Sequence, residues 1–507
     1  MQVSSMFGAS RTTRSKDWQI TMAAWLLLTL LVCVALDTIH LGQASLWSDE
    51  IFSRYYYEVF GPGFMFGEGL RVEPTPPTYW IVLQGWMLLF GDSEAALRSL
   101  SVVCDVAALP LVFLLSRELI GRREAALAGL LFALCPAGLY YAQEARVYAM
   151  TLPPAALALF AVAAYLRDPR SRTAAVAYVF GATLCLYLHT TLLFMVASCA
   201  LVITPALLAT RNMVAVRPAV LRWVALNIAV LVLALPYLVH VLGASQSGGL
   251  DWIGPLQLRD VVSSVAAVTD GLLTPFPWPG APIATMFLLT LAASVLVHRP
   301  TARAMAVLVF IPGVFLAELI LVSLFRPILL PRVLCWTIVP LCVLTSRQIL
   351  CAGRLRFAVA AAAVIAFGSG LVAQETARNA NKEPWRDVFA QLGPELNQAD
   401  LVVLSPRFDP MILKYYAPTA VRSLRMWDEQ LRPTVMTTAA QRMQIPSIGR
   451  AQIIGDIAAG KVVWVLSNSV DIPYLKLLAG HRPAERTLTW DCGPWPCIEA
   501  ERYAGAK

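Results

Sequence analysis

Charge is scarce in this 507-residue chain, where Asp, Glu, Lys and Arg make up 14% of the residues, against about a quarter in an ordinary soluble domain. So few charges exclude a large water-soluble globule, and a mean hydropathy of +0.64 puts most of the chain in lipid. A glycine-rich phosphate loop and a βαβ nucleotide-binding pattern are also missing, which argues against a bound nucleotide. There is no internal repeat. No clear small-x-small cleavage site precedes Trp47, so the apolar run 20–35, which follows Arg11, Arg14 and Lys16, reads as a retained first helix.

Long apolar runs are what the chain has instead. Spans are expected at about 19–41, 95–116, 124–142, 149–166, 173–189, 192–209, 220–242, 281–298, 303–325, 332–347 and 356–374. These are lengths suited to a hydrocarbon core roughly 30 Å thick. The clusters of Lys and Arg, among them Arg117 with Arg122 and Arg123, and Arg347 with Arg356, each follow an even number of spans. The positive-inside bias then puts the N-terminus in the cytoplasm and everything after Gln374 outside. The net charge of +8 is by this reading a membrane signature rather than a footprint for nucleic acid.

The expected architecture is a polytopic α-helical membrane protein of about eleven transmembrane helices, 1–374, followed by a small α/β extracytoplasmic domain, 375–507. Two outer stretches are long, 42–94 and 244–280. The first holds a semi-apolar piece, 79–90, too short to span and flanked by the interfacial anchors Trp80 and Trp86. The second is rich in Gly and Pro and carries a short surface helix at 259–270. Beyond it, 385–392 reads as an amphipathic helix, 401–404 and 462–466 as strands, and 411–416 as helical.

Eight of the ten cysteines lie in or beside apolar spans and serve as small hydrophobes. Cys492 and Cys497 flank a Gly-Pro turn in the outer domain and are expected to form a disulfide. A zinc pair is the competing reading, which lacks a second Cys or His pair nearby.

Chemistry concentrates at the outer face. Trp47-Ser-Asp49-Glu50 sets two adjacent carboxylates just past the first span; Gln143-Glu144-Ala-Arg146-Val-Tyr148 packs an acid and a base into barely a loop; Arg326 and Arg332 stand outside, against the positive-inside bias. A carboxylate that takes a proton from an acceptor, and arginine forks that neutralise a departing phosphate, are what glycosyl transfer from a lipid phosphate requires. Arg326 enters on charge placement alone. Asp49, Glu50 and Glu144 offer hard oxygen ligands to a divalent metal, which the sequence does not compel. His189, at the outer end of a span, reads as a packing residue.

In their order, Trp47-Ser-Asp49-Glu50, Pro76-Pro77-Thr-Tyr79-Trp80, Phe90-Gly-Asp-Ser-Glu94-Ala-Ala-Leu-Arg98, Gln143-Glu144-Ala-Arg146-Val-Tyr148, Pro331-Arg332 and Glu383-Pro-Trp385-Arg386-Asp387 resemble the GT-C superfamily of membrane glycosyltransferases. The likeness is to the protein O-mannosyltransferase and aminoarabinose-transferase-like branch and spans nearly the whole chain. It implies a polyprenyl-phosphate sugar donor, a protein, glycan or glycolipid acceptor, and residence in the inner membrane. It further implies Asp49 as the catalytic residue with Glu50 beside it, inversion by direct displacement, and donor phosphate held by Arg146 and Arg332. The chain departs from the pattern before the paired prolines, where Thr75 stands and Glu73 is displaced upstream. The rival from another class, a multi-span transporter or lipid flippase, calls for ionisable groups near the bilayer midplane, where only Asp105 and Glu318 lie. A receptor or assembly protein would need only a single span.

Overall fold

The computed structural model describes residues 6–69, 73, 75–209, 213–244, 253–270, 280–377, 382–418, 423–428, 435–468, 478, 483–491 and 496–504. In chain order the helices are α1 (Met6–Thr38), α2 (Ser48–Met65), α3 (Thr78–Phe90), α4 (Glu94–Leu119), α5 (Arg122–Ala133), α6 (Pro136–Ala142), α7 (Val147–Arg167), α8 (Arg172–Leu188), α9 (Leu192–Leu208), α10 (Met213–Ala244), α11 (Leu258–Asp270) and α12 (Gly280–Val297). A run from α13 (Ala302–Met305) through one π-helical turn (Ala306–Phe310) to α14 (Ile311–Ser323) follows. Then come a 3-10 helix (Pro331–Thr337), α15 (Ile338–Cys351), α16 (Leu355–Ala377) and α17 (Trp385–Leu396). Contacts divide the chain into two units, one of 1–39, 99–238 and 253–374, the other of 40–98, 239–252 and 375–507.

The first unit is helical because lipid leaves the backbone no other way to pair its N–H and C=O groups. All eleven expected spans are helical, and seven helical stretches are individually long and apolar enough to cross a membrane. The 124–142 span is broken: α5 and α6 meet at 54°, where Pro136 cannot continue the preceding hydrogen-bond ladder. Helices α8 and α9, 17 residues each, and α12 are shorter apolar helices. At the centre lies α7, whose spanning window is 78% buried, whereas that of α10 is 22% buried and turns Leu231, Val232 and Leu233 outward. Gly181 lets α8 reach α7, since a Cβ there would stand 2.9 Å from the Pro154 carbonyl. Trp223 of α10 packs between Tyr165 and Tyr178, whose hydroxyls donate to the Ala219 carbonyl and the Asn227 side chain. Glu118 joins Arg167 and Arg303 at the basic ends of α4, α7 and α13.

The second unit contains α2, α3 and a six-stranded sheet. Its strands are β1 (Leu401–Leu404), β2 (Leu424–Trp427), β3 (Ser447–Ile448), β4 (Val463–Asn468), β5 (Arg486–Asp491) and β6 (Pro496–Tyr503), in the order β3-β2-β1-β4-β6-β5. Strands β1 to β4 run parallel and β6 is antiparallel to both neighbours. Buried on one side are Val403, Trp427, Ile448, Val465 and Tyr503. Helix α17 buries Trp385, Val388, Phe389, Leu392 and Leu396, the spacing of one helical face, and α18 (Met411–Tyr416) follows β1. The stretch 42–94, expected as an outer loop, is largely helical. Its aromatic residues explain this: Phe52, Tyr56 and Phe60 form one face of α2 and pack against Trp80 of α3.

Candidate functional site

In the second unit the acidic motif opens α2, and its two carboxylates have different surroundings. Glu50 is fully buried. Arg98 grips it with a fork, Nε to Oε1 at 2.8 Å and Nη2 to Oε2 at 2.7 Å, and the Lys382 Nζ lies 3.3 Å from Oε2. The remaining Arg98 protons go to the carbonyls of Leu41, Ala44 and Ser45. Both oxygens of Glu50, expected at the reaction itself, are thus paired with cations, and the pairing holds the loop before α2 in shape. Asp49 is half-buried, and its own carbonyl accepts the Ser53 hydroxyl at 2.9 Å. Glu73 is also half-buried, and its Oε1 accepts the Thr75 N–H at 3.1 Å, which shapes the turn into Pro76-Pro77.

In the first unit the Gln143–Tyr148 motif joins α6 to α7. Gln143 donates from Nε2 to the carbonyls of Leu36, Asp37 and Ile39 at 3.3, 3.1 and 3.0 Å. It thereby caps the open C-terminal end of α1, which is a structural task rather than a site role. Glu144 is buried, and its carbonyl accepts the Ser101 hydroxyl. Arg146 is the N-cap of α7 and is 8% exposed. Its guanidinium stands 6.0 Å from the centre of the Tyr148 ring, that of Arg332 stands 5.8 Å from the same ring, and the His189 ring lies 5.8 Å away. The His189 Nδ1 accepts the Thr191 N–H at 3.3 Å, which places the ring proton on Nε2. Two guanidiniums and an imidazole thus stand around one buried aromatic ring, and His189 is a member of that group which sequence position alone ranked as packing. Arg326 is half-buried on the segment between α14 and the 3-10 helix.

Among the described residues, one set of His, Cys, Asp or Glu side chains has its ligand atoms all within 4.8 Å of one another: Cys33, Asp37 and Asp105, buried in the first unit. The expected trio is divided between the units: Asp49 and Glu50 belong to the second and Glu144 to the first. Cys497 is disulfide-bonded, while Cys492 lies outside the described residues. The eight other cysteines are free thiols.

Residues 74–240 match the family model for dolichyl-phosphate-mannose-protein mannosyltransferase. That segment holds Pro76-Pro77, Arg98, the Gln143–Tyr148 motif and His189. A comparison with curated protein sequences finds no match. Among solved structures, ArnT from Cupriavidus metallidurans bound to undecaprenyl phosphate superposes with a TM-score of 0.59 at 14% identity, over 96% of this chain and 99% of that one. The apo state of the same protein gives 0.58 at 15% over the same shares. The oligosaccharyltransferase AglB from Archaeoglobus fulgidus, in complex with an inhibitory peptide and a dolichol-phosphate, gives 0.49 at 11% over 88% of this chain and 69% of that one. The likeness to ArnT runs from end to end, and the chain therefore has an ArnT-like fold: a set of apolar helices followed by a small C-terminal sheet domain.

Proposed function

We propose that the protein transfers a sugar, hexosyl or pentosyl, from a polyprenyl-phosphate carrier to a protein, glycan or glycolipid acceptor on the outer face of the inner membrane. Asp49 takes the proton from the acceptor nucleophile, which attacks the anomeric carbon directly and inverts it; the bond to the phosphate oxygen breaks and the lipid phosphate leaves. Arg146 and Arg332 carry the growing negative charge of that leaving group, with Arg326 as a further cation near the same surface. The observation that carries this reading is the convergence of Arg146, Arg332 and His189 on Tyr148, in a chain with the fold of a protein seen bound to undecaprenyl phosphate. The N-terminus is cytoplasmic and the domain after Gln374 is outside, as the alternating basic clusters require.

The reaction as written needs no metal. The Cys33, Asp37 and Asp105 group supplies the ligand types for a divalent ion, and no step is assigned to it. The test is mass spectrometry of lipids and glycans from cells with the parent chain, without it, and with Asp49→Asn. A glycan present only with the parent supports the reading, and the same glycan in all three overturns it.

A further inference from the structure

The segment Lys382-Glu383-Pro384-Trp385 has no part in the chemistry above, yet it touches the residue next to the proposed base. The first backbone amides of a helix have no partner inside it, and a short polar side chain at the N-cap usually accepts one of them. The N-cap of α2 is Trp47, whose indole can only donate. Two carboxylates do the accepting instead. Glu50 Oε2 takes the Trp47 N–H at 3.3 Å, and Glu383 Oε2 takes both the N–H of Ser48, at 2.7 Å, and its hydroxyl. A negative charge at this end of a helix is also favoured by the aligned peptide dipoles.

Glu383 is itself held. The same oxygen accepts the Trp385 indole N–H at 2.7 Å, and Trp385 is buried against Phe389 and Phe408, with ring centroids 6.0 and 5.4 Å away. Asp409, 3% exposed, is anchored through Oδ1 on the Met411 N–H at 2.8 Å. Burial, with the charges of Glu383 and Asp49 adding to it, pushes Asp409 up to about 7. Burial and the Asp49 charge likewise hold Glu383 above its ordinary range, against the bonds from Ser48 and Trp385. The Asp49 charge thus reaches both Glu383 and Asp409. Arg98 and Lys382 are bound to Glu50.

We propose that Glu383 is the positioning residue of the acidic motif: by capping the first turn of α2 it fixes where the Asp49 carboxylate sits. This rests on the reading of Asp49 as the base. The test compares the full-length parent with Glu383→Gln, Glu383→Asp and Asp49→Asn, each in lipid nanodiscs. In Glu383→Gln, amide exchange at 48–51 quickens about tenfold or more, because a charged acceptor is lost. Binding of undecaprenyl phosphate is unchanged and kcat falls about tenfold without a change in KM, because the base is no longer held in place. Glu383→Asp, which keeps a charged acceptor, restores slow exchange and kcat in part. Parent-like exchange together with a parent-like kcat, while Asp49→Asn is inactive, overturns the role of Glu383 alone. Near-parent transfer by Asp49→Asn overturns the base assignment and the proposal with it.

Discussion

The acidic motif of the second unit and the cationic cluster of the first are built by opposite means. The cations around Glu50 come from far along the chain: Arg98 is 48 residues away and Lys382 is 332. Around Tyr148 the cations are set by the N-terminus of α7 and the 3-10 helix, and they stand 5.8 to 6.0 Å from the centre of one ring. A carboxylate that must act as a base needs its position fixed in advance, because misplacement by a fraction of an ångström costs rate. A guanidinium over an aromatic face is attracted by the electron-rich surface of the ring, which helps to orient the planar fork. The first region is positioned by paired charges, and the second by a shared ring.

The largest effect that tests this contrast is on turnover. Asp49→Asn keeps shape but removes basicity and should lower transfer about a hundredfold to ten-thousandfold, with undecaprenyl phosphate binding retained. Equal loss of binding and turnover would instead make Asp49 part of the donor site. Next in size is the frame. Arg98→Ala strands the Glu50 carboxylate in a buried place and should cost about 3 to 5 kcal/mol, read as a lowered thermal midpoint in detergent. The double change Arg98→Met with Glu50→Leu should recover much of that loss, because no charge is left behind. If Arg98→Ala melts with the parent, the ion pair does not hold the loop.

Much of the helical unit was legible because lipid imposes one solution: a run of about twenty apolar residues must be a helix, and the basic ends say which way it points. The break at Pro136 was not, since 124–142 has the right length and only the ring of Pro136 interrupts it. In the second unit, α17, α18 and β1 could be read from periodicity, while β5 and β6 could not. Their residues are largely polar, and pairing with β4 rather than burial of both faces makes them strands. Helix α2 escaped notice because its start has no side-chain cap of its own and Gly61-Pro62 interrupts it. At the site, Asp49, Arg146 and Arg332 stand out as charges where charge is costly. The partners of Glu50 do not, because nothing local in Arg98 or Lys382 announces a contact made across such distances in the chain. The bonds of Gln143 to the end of α1 were equally hidden, because they join residues more than a hundred positions apart.

Smaller effects sharpen the cationic side. Arg332→Ala should weaken undecaprenyl phosphate binding and turnover together by about tenfold, the worth of one charged hydrogen bond. Arg332→Lys should recover only part of it, having lost the planar fork that sits over Tyr148. Titration of the lipid into nanodiscs would measure both. Full recovery by lysine would mean that a point charge suffices and that the ring contact has no part in holding the arginine.

The smallest effect concerns pH. Asp409 is raised from its ordinary 3.8 to about 7 in the folded protein, so folding favours its protonated form. A group shifted in that direction contributes stability that is fully present below about 4 and is lost as the pH climbs to about 7, after which its cost is constant. Glu383, shifted in the same direction, adds to the slope. Asp409→Asn keeps a neutral side chain that can still accept the Met411 N–H through its carbonyl oxygen, and it removes the titration. The variant should therefore melt at a temperature that falls less than the parent's between pH 4 and 7, and should be the more stable of the two above that range. Parallel curves for variant and parent would show that Asp409 carries its charge in the fold, and that a cation from elsewhere in the second unit compensates it.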